Sequence, residues 1–346
     1  MEVKNRLIYL DILRIFATVS LVVLHVSGQN FNSQPTDSFE WVVLNFYDSL
    51  VRWVVPVFVM ISGSLFLRRE QSIKKLYQKY ILRIVCAYIF WSGVYAFVSY
   101  LKGECGLKEM VWGFFEGHYH LWFLLMIAGL YVVTPFLKTI TESKTLTNYF
   151  LVVGAIVSVV IPCLLHIVPY FSERLADILN SHFSNVFLCF NFTFYYVLGY
   201  KLSTMNFKKL RKWIYLGGIA GFVCTFIFTD FLAGHNKAEI GFYYDNFSPT
   251  VLLESIFMFV LVKDIFVNKT FGTKTTKHIL NLSKYSFGIY LVHTLILELL
   301  KDKFAIHTLV INPIVSVPLL TLFVFVISWF SSFVLNKIPF VNKYIV

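Results

Sequence analysis

The stretch LDILRIFATVSLVVLHVSGQ, residues 10–29, places Arg14 and His25 in an otherwise apolar run. Arginine stays positively charged and binds anions, whereas histidine titrates close to neutral pH and can act as a general base or a nucleophile. On an α-helix, the spacing of 11 residues makes both side chains point the same way, about 16 Å apart along the axis. The pair therefore predicts one wall of a polar path across a membrane.

Ionisable side chains are rare in apolar segments, because a charge in a bilayer costs roughly 2.5 to 3.5 kcal/mol on insertion scales. Asp11 lies one helical turn before Arg14, near enough to neutralise the guanidinium, and a plain structural salt bridge would explain it equally well. Arg52 and Glu254 are expected to pair with each other. That pair could belong to a substrate site or could only lock two helices together.

Four further residues are candidates near the ends or the middle of the predicted helices. His120 and Trp122 open the fourth predicted span, and Trp122 is either a stacking platform or an interfacial anchor. Tyr290 and His293 are one helical turn apart. They either hydrogen-bond each other and hold helices together, or they line a functional site.

Membrane-spanning helices must position these residues. The chain is 58% hydrophobic and 14% charged, with a mean hydropathy of +0.70, and a helix needs about 20 apolar residues to cross a bilayer. The sequence predicts an all-α, polytopic membrane protein with about ten transmembrane helices. The candidate spans cover residues 7–27, 47–67, 80–101, 121–137, 149–168, 184–200, 213–232, 249–266, 284–300 and 313–336.

The distribution of Lys and Arg predicts the orientation. With the N-terminus inside, every inner loop holds more cations than either neighbouring outer loop, except that the loop between the fourth and fifth spans ties with one neighbour. Both termini are therefore expected to be cytoplasmic. The net charge of +11 follows from this topology and from contact with anionic lipid, so it does not require nucleic acid. The cysteines have no metal-like spacing, and no metal site is predicted.

Five sequence motifs occur in a fixed order along the chain. They are YLDILRIFATVSLVVLH (Arg14, His25), RWVVPVFVMISG (Arg52, Gly63), HLWFLLMIAGLYVVTPFL (His120, Trp122), YYVLGYKL (Tyr196, Gly199) and YSFGIYLVH (Tyr290, His293). Together they resemble the acyltransferase-3 family of integral membrane acyltransferases, in particular its surface-polysaccharide O-acetyltransferase branch. The hallmark of the family is a basic residue and a histidine separated by ten residues in the first helix. The resemblance covers nearly the whole chain and implies a single transmembrane acyltransferase domain over residues 1–346.

The resemblance implies a multi-pass enzyme of the inner (plasma) membrane. It would move an acyl group, in the first place acetyl, from cytosolic acyl-CoA to a hydroxyl of a surface polysaccharide or its lipid-linked precursor. His25 would act as general base or transient acyl carrier, and Arg14 would bind or polarise acyl-CoA. Acyl-CoA would be a donor substrate and no tightly bound cofactor is expected, while the oligomeric state stays open. The expected phosphate contacts are Lys208, Lys209 and Arg211. The expected acceptor-side residues are Arg52, His120, Trp122, Glu254, Tyr290 and His293.

Two other classes of protein are compatible with buried charges. A polysaccharide exporter or small-solute transporter would use the same residues as a substrate or proton path, and a membrane scaffold would use them only structurally. No internal repeat is visible in the sequence, which argues against a transporter. The energetic cost of burying Arg14, Arg52 and Glu254 argues against a scaffold. Binding and turnover of acyl-CoA would distinguish the enzyme from both.

Overall fold

The computed structural model describes residues 7–168, 172, 174, 190–233 and 240–346. Within these ranges the chain forms a bundle of α-helices and no strand, as the sequence predicts. In chain order the helices are α1 (Ile8–Gly28), α2 (Phe39–Ser49), α3 (Val54–Phe66), α4 (Ile73–Leu101), α5 (Leu107–Glu116), α6 (Trp122–Glu142), α7 (Lys144–His166), α8 (Asn191–Thr204), α9 (Arg211–Ala233), α10 (Ile240–Tyr244), α11 (Pro249–Phe266), α12 (Thr273–Phe304), α13 (Pro313–Leu335) and α14 (Pro339–Tyr344).

Local sequence explains where several of these helices begin and end. The Ser38 hydroxyl accepts a hydrogen bond from the Trp41 amide at 3.1 Å and so begins α2. The Asn312 side chain accepts one from the Ile314 amide at 3.0 Å and so begins α13. The long helix α12 ends where Ala305 adopts a left-handed φ of 53°.

Seven helical segments of the described residues are long and apolar enough to cross a membrane. They are Ile8–Ser33, Phe39–Phe66, Ile73–Leu101, Trp122–Glu142, Lys144–His166, Arg211–Ala233 and Pro313–Leu335. Each overlaps one of the spans that the sequence predicts, so a multi-pass membrane protein is supported. The number of about ten and the cytoplasmic position of both termini are not confirmed and stay predictions.

The three other predicted spans have different outcomes. Residues 184–189 of the sixth span lie outside the described residues, and α8 forms its remainder. The eighth and ninth spans fall on α11 and within α12, which are helical as predicted. Both helices carry charged side chains, among them Glu254, Lys263 and Asp264 on α11, and these lower their apolar character.

Helices α3 and α8 cross with their backbones in contact. A Cβ atom at Gly63 would lie 1.8 Å from the Tyr196 carbonyl oxygen, and one at Gly199 would lie 2.1 Å from the Met60 carbonyl oxygen. The Ser64 hydroxyl donates a hydrogen bond across the crossing to the Gly199 carbonyl at 2.7 Å. Small residues permit this close packing of membrane helices, so glycine is required at both positions.

Helix α1 lies inside the bundle, against α2, α3, α11, α12 and α13. It runs in the same direction as α12, since Arg14 contacts Ser283 near the start of both and Gln29 contacts Leu297 near their ends. We call the end of the bundle at which α1 begins the proximal end, and the end at which α1 finishes the distal end. The candidate site lies between these two helices, α3 and α6.

Candidate active site

One cavity of about 820 Å³ extends along α1, and both Arg14 and His25 line it. Its wall also includes residues of α3, α4, α6 and α12. The two side chains therefore point to the same side of α1, as their spacing predicts. The volume lies in the range of roughly 300 to 1,000 Å³ that is typical of ligand pockets.

The proximal part of the cavity is cationic. Arg14 Nη1 donates a hydrogen bond to Ser283 Oγ at 3.1 Å and lies 3.6 Å from Asp11 Oδ1. Ser283 Oγ donates in turn to Asp11 Oδ1 at 2.7 Å, so Asp11 is close enough to neutralise Arg14, as predicted. The other cations of this proximal part of the wall are Arg69, Arg83 and Lys284. Such a group of cations is suited to bind phosphates.

His25 lies at the distal end of the cavity among other rings. Its ring centre is 4.9 Å from that of His293 and 5.5 Å from that of Tyr119. The Tyr119 hydroxyl lies 3.5 Å from His25 Nδ1. The environment offers His25 neighbours that can donate or accept a proton, which a general base or an acyl carrier requires.

Tyr290 and His293 bond main-chain carbonyls and not each other's side chains. The His293 Nδ1 donates to the Tyr290 carbonyl at 2.7 Å, which leaves the lone pair on Nε2. That Nε2 is buried without a hydrogen-bond partner among the described residues. The Tyr290 hydroxyl donates to the His120 carbonyl at 2.6 Å and so fixes the segment that precedes α6. Tyr290 also lines the cavity.

Arg52 lines the cavity, but its partner differs from the one predicted. Its guanidinium forms an ion pair with Asp48, one turn earlier in the chain, and stacks 3.7 Å from the ring centre of Tyr244. The expected pair with Glu254 is therefore wrong. The reason is geometric: a carboxylate four residues earlier is within reach of the arginine whatever the packing between helices.

Glu254 is fully buried between α9 and α11. Its Oε1 accepts a hydrogen bond from the Thr225 hydroxyl at 2.6 Å. Its Oε2 has no partner among the described residues, and Glu254 is not part of the cavity wall. A direct contact between Glu254 and an acceptor in this cavity is therefore not supported.

Trp122 and His120 both line the cavity. Trp122 remains 43% exposed, with its ring centre 5.7 Å from that of Phe192. His120 is only 3% exposed. Burial, together with nearby His293 and His118, holds the pKa of His120 well below the ordinary value for histidine. His120 is therefore neutral at neutral pH, with one ring nitrogen unprotonated.

His118 is a residue of the site that the sequence did not single out. Its Nδ1 lies 2.9 Å from His120 Nδ1, and its Nε2 lies 2.9 Å from Glu298 Oε1. The pattern HYH contained a signal, since alternate residues of a non-helical segment can lie side by side.

A second cavity of about 720 Å³ lies at the distal end of the bundle. Arg52, Tyr244 and Asn246 line both cavities, so the two meet at these residues. Aromatic, amide and carboxylate side chains make up most of the remaining wall: Phe31, Asn32, Gln34, Trp41, Asp48 and Asp245.

The basic segment that was expected to contact phosphate lies elsewhere. Lys208, Lys209 and Arg211 are exposed and are not part of the cavity wall. A role for them in binding the donor stays a prediction, and it would concern only a part of the ligand outside the cavity. The cavity is instead lined by four cations at its proximal end and by Arg52 at its distal end.

Comparison with known families identifies the class of protein to which the chain belongs. Residues 7–333 match the family described as the acyltransferase domain, the acyltransferase-3 family. Because the match covers nearly the whole chain, the protein belongs to this family and is an acyltransferase. Neither a comparison with curated proteins nor one with solved structures found a match.

Proposed function

We propose that the protein transfers an acyl group, in the first place acetyl, from cytosolic acyl-CoA to a hydroxyl of a surface polysaccharide or of its lipid-linked precursor. The observation that carries the proposal is one cavity with Arg14 and three further cations at its proximal end and with His25 and His120 at its distal end. The proximal end would face the cytoplasm of a cell with the protein in its inner (plasma) membrane. The positive loops of the sequence support this orientation.

The proximal cations suit the donor. Arg14, Arg69, Arg83 and Lys284 would bind the phosphates of CoA or polarise the thioester carbonyl. The extended pantetheine arm spans roughly 15 to 20 Å. It would therefore bridge the distance of about 16 Å along α1 that separates Arg14 from His25.

The acceptor would approach from the distal cavity. Phe31, Trp41 and Tyr244 contribute aromatic atoms to its wall, and Asn32 and Asp245 offer hydrogen-bonding groups. Such a combination suits a sugar, which presents an apolar ring face and a rim of hydroxyls. Where the two cavities meet at Arg52, an acceptor hydroxyl would come near the acyl group beside His25.

His25 can support two routes of transfer. As a general base it takes the proton of the acceptor hydroxyl while the hydroxyl oxygen attacks the thioester carbon and the thiolate leaves. As a carrier its ring nitrogen first attacks the thioester carbon and the CoA thiolate leaves; the acceptor oxygen then displaces the imidazole from the acyl carbon while a base takes the hydroxyl proton. Both routes require the thioester to reach the distal end of the cavity.

Release of the CoA thiol by the purified protein tests this function. Wild type is expected to release CoA from acetyl-CoA, and His25→Ala to lose at least about 100-fold in turnover. Arg14→Ala is expected to reduce turnover as well. The exposed His278 on α12, outside the cavity, provides the matched control His278→Ala.

Two results would contradict the proposed function or the role of His25. If correctly folded wild type neither binds nor consumes acyl-CoA, with or without polysaccharide acceptors, the proposed function is wrong. The cavity would then be examined as a path for a transported solute. If His25→Ala and His278→Ala are equally active, the assignment of His25 is wrong.

A further inference from the structure

Three side chains connect the cavity with the distal surface. His120 is buried in the cavity wall, whereas the side chain of His118 is 18% exposed and that of Glu298 is 33% exposed. The nitrogen and oxygen atoms along this chain are 2.9 Å apart at each step. Both distances are those of hydrogen bonds. The transfer chemistry described above does not use His118 or Glu298.

The chemistry of the contacts assigns the protons. A carboxylate accepts hydrogen bonds, so His118 Nε2, facing Glu298, carries a hydrogen. In neutral His118 the Nδ1 is then an acceptor, and the hydrogen between the two rings belongs to His120 Nδ1. The lone pair of His120 is consequently on Nε2. The hydrogen bonds from His120 to His118 and from His118 to Glu298 thus leave His120 Nε2 free of hydrogen, so that His120 can act as a base within the cavity.

The surroundings hold His118 in place. Its ring stacks on Tyr95, with centres 4.1 Å apart and planes 15° apart. The Tyr95 hydroxyl is itself held by the Leu291 carbonyl of α12 at 2.9 Å. The second carboxylate oxygen of Glu298 lies 3.6 Å from Lys102 Nζ, which leaves Oε1 to His118. A loosely held surface histidine would have none of these contacts.

We propose that His118 and Glu298 are positioning residues that, with His120, form a proton relay from the acyl-transfer site to the distal surface. The inference rests on the proposed function and adds to it the route by which the proton of the acceptor leaves. His120 would be the group that touches the acceptor hydroxyl. His118 and Glu298 act only through His120.

The transfer step balances as follows. In the carrier route, the acceptor oxygen forms a bond to the acyl carbon, and the bond from that carbon to the His25 nitrogen breaks. The hydroxyl proton passes to His120 Nε2, and the Nδ1 proton of His120 passes to His118 Nδ1. The resulting imidazolium is stabilised by the Glu298 carboxylate and releases its proton to water at the distal end.

A proton relay is needed because the acceptor hydroxyl and the departing thiolate are at opposite ends of the cavity when the hydroxyl loses its proton. In a direct exchange within one water-filled pocket, the proton lost by the hydroxyl could protonate the departing thiolate. In the carrier route the thiolate leaves towards the proximal cations before the acceptor attacks, so it is no longer beside the hydroxyl when the hydroxyl loses its proton at the distal end. The two ends are about 16 Å apart along α1. The thiolate therefore takes a proton from proximal water, and the distal proton needs its own exit.

Nuclear magnetic resonance of the ¹⁵N-histidine-labelled full chain tests the hydrogen-bonded chain without reference to activity. We expect His118 to carry hydrogen on Nε2 and a scalar coupling to join its Nδ1 to His120 Nδ1. The coupling should vanish in His118→Phe, which retains a ring to stack on Tyr95. A His118 with hydrogen on Nδ1 alone, or the absence of the coupling in wild type, would overturn the relay.

Turnover of acetyl-CoA tests the role of the relay. Two neighbouring carboxylates, Glu298 and Asp302, provide the test variant and its control. Glu298 and Asp302 both lie beside Lys102, but of the two only Glu298 contacts His118. We expect Glu298→Gln to lower turnover about 10- to 100-fold at pH 7, and Asp302→Asn to leave it unchanged. The loss in Glu298→Gln should diminish as the pH rises, because hydroxide then removes the proton that the relay no longer carries.

Other charged or titratable groups that face His118 can also affect how the turnover of Glu298→Gln changes with pH. These are Tyr95 on α4 and Lys102 directly after it, Tyr119 and His120 of its own segment, Glu298, Asp302 and His293 on α12, and His25 on α1. A purely structural role of Glu298 would lower turnover equally at every pH. That outcome, or equal turnover of Glu298→Gln and Asp302→Asn, overturns the relay while the proposed function stands. If wild type itself does not consume acyl-CoA, the proposed function fails, and the relay fails with it.

Discussion

At the scale of single residues, the cavity separates two kinds of side chain. Arg14 is a permanent cation, held by Ser283 and Asp11, while His25 lies among rings that exchange protons. An arginine suits binding and polarisation, because it does not deprotonate in proteins. A histidine suits proton transfer or nucleophilic attack. These properties suit Arg14 to binding the donor and His25 to the transfer step.

Arg69 provides a residue-scale prediction with a neighbouring control. Arg69 lines the cavity, whereas Arg68 is exposed and is not part of its wall. We expect Arg69→Ala to raise the KM for acetyl-CoA about 10- to 100-fold, since a hydrogen bond to a charged group contributes about 1.5 to 3 kcal/mol. Steady-state kinetics should show little change in Arg68→Ala. Equal KM values for the two variants would mean that the proximal end of the cavity does not bind the donor.

Which site residues the sequence predicts depends on how local their geometry is. Arg14 and His25 share one helix, whose regular rotation fixes their relative direction, and the structure agrees. The predicted pair of Arg52 with Glu254 depended on how separate helices pack, which the sequence does not show, whereas the actual partner, Asp48, is a local one four residues earlier. Arg83 was identifiable, because it is a charge inside a predicted span just as Arg14 is.

At the scale of helices, the crossing of α3 and α8 shapes one wall of the site. Helix α3 carries residues of the cavity wall, and its backbone meets α8 at Gly63 and Gly199. Any side chain at these two positions would push the helices apart, since packed interiors have no space to accommodate it. The position of the α3 wall therefore depends on two glycines that do not touch the ligand.

The element-scale prediction concerns Gly199. A Cβ there would lie 2.1 Å from the Met60 carbonyl, whereas a Cβ at Gly129 on α6 would meet no atom within 4 Å. We expect Gly199→Ala to lower the free energy of unfolding by about 1 to 3 kcal/mol, as overpacking does. Gly129→Ala should be neutral or slightly stabilising. Thermal unfolding in detergent measures both, and equal Tm values would contradict the close crossing.

The hydropathy of the sequence predicts most helices but is less decisive for α12, which carries part of the site, and for α11. Helix α12 contributes Ser283, Lys284, Tyr290 and His293 around the cavity, and these polar residues dilute its apolar character. Helix α11 carries Glu254 and two charges near its end. Polar groups that face a cavity make a helix resemble a soluble one, although its other side faces apolar surroundings.

At the scale of the whole molecule, the cavity joins the two ends of a helical bundle. Cations lie at the proximal end, and the ring cluster around His25 lies where the second cavity begins. A donor that enters on one side can thus present its acyl group near an acceptor on the other. Leu21 lies between Arg14 and His25 in the cavity wall, so a larger side chain there would narrow the path.

Photo-cross-linking of acyl-CoA analogues measures this path most directly. With a photoreactive group in the acyl chain, cross-links should fall on distal residues near His25, such as Leu24, Tyr119 and Phe123, and excess acetyl-CoA should suppress them. With the photoreactive group on the nucleotide, they should fall near Arg69 and Lys284. In Leu21→Trp the distal cross-links should be lost and the proximal ones retained, while Phe16→Trp, at a position of α1 that is 48% exposed, should behave as wild type. Acyl-chain cross-links confined to the proximal end, or to the segment around Lys208, would contradict a donor threaded through the cavity.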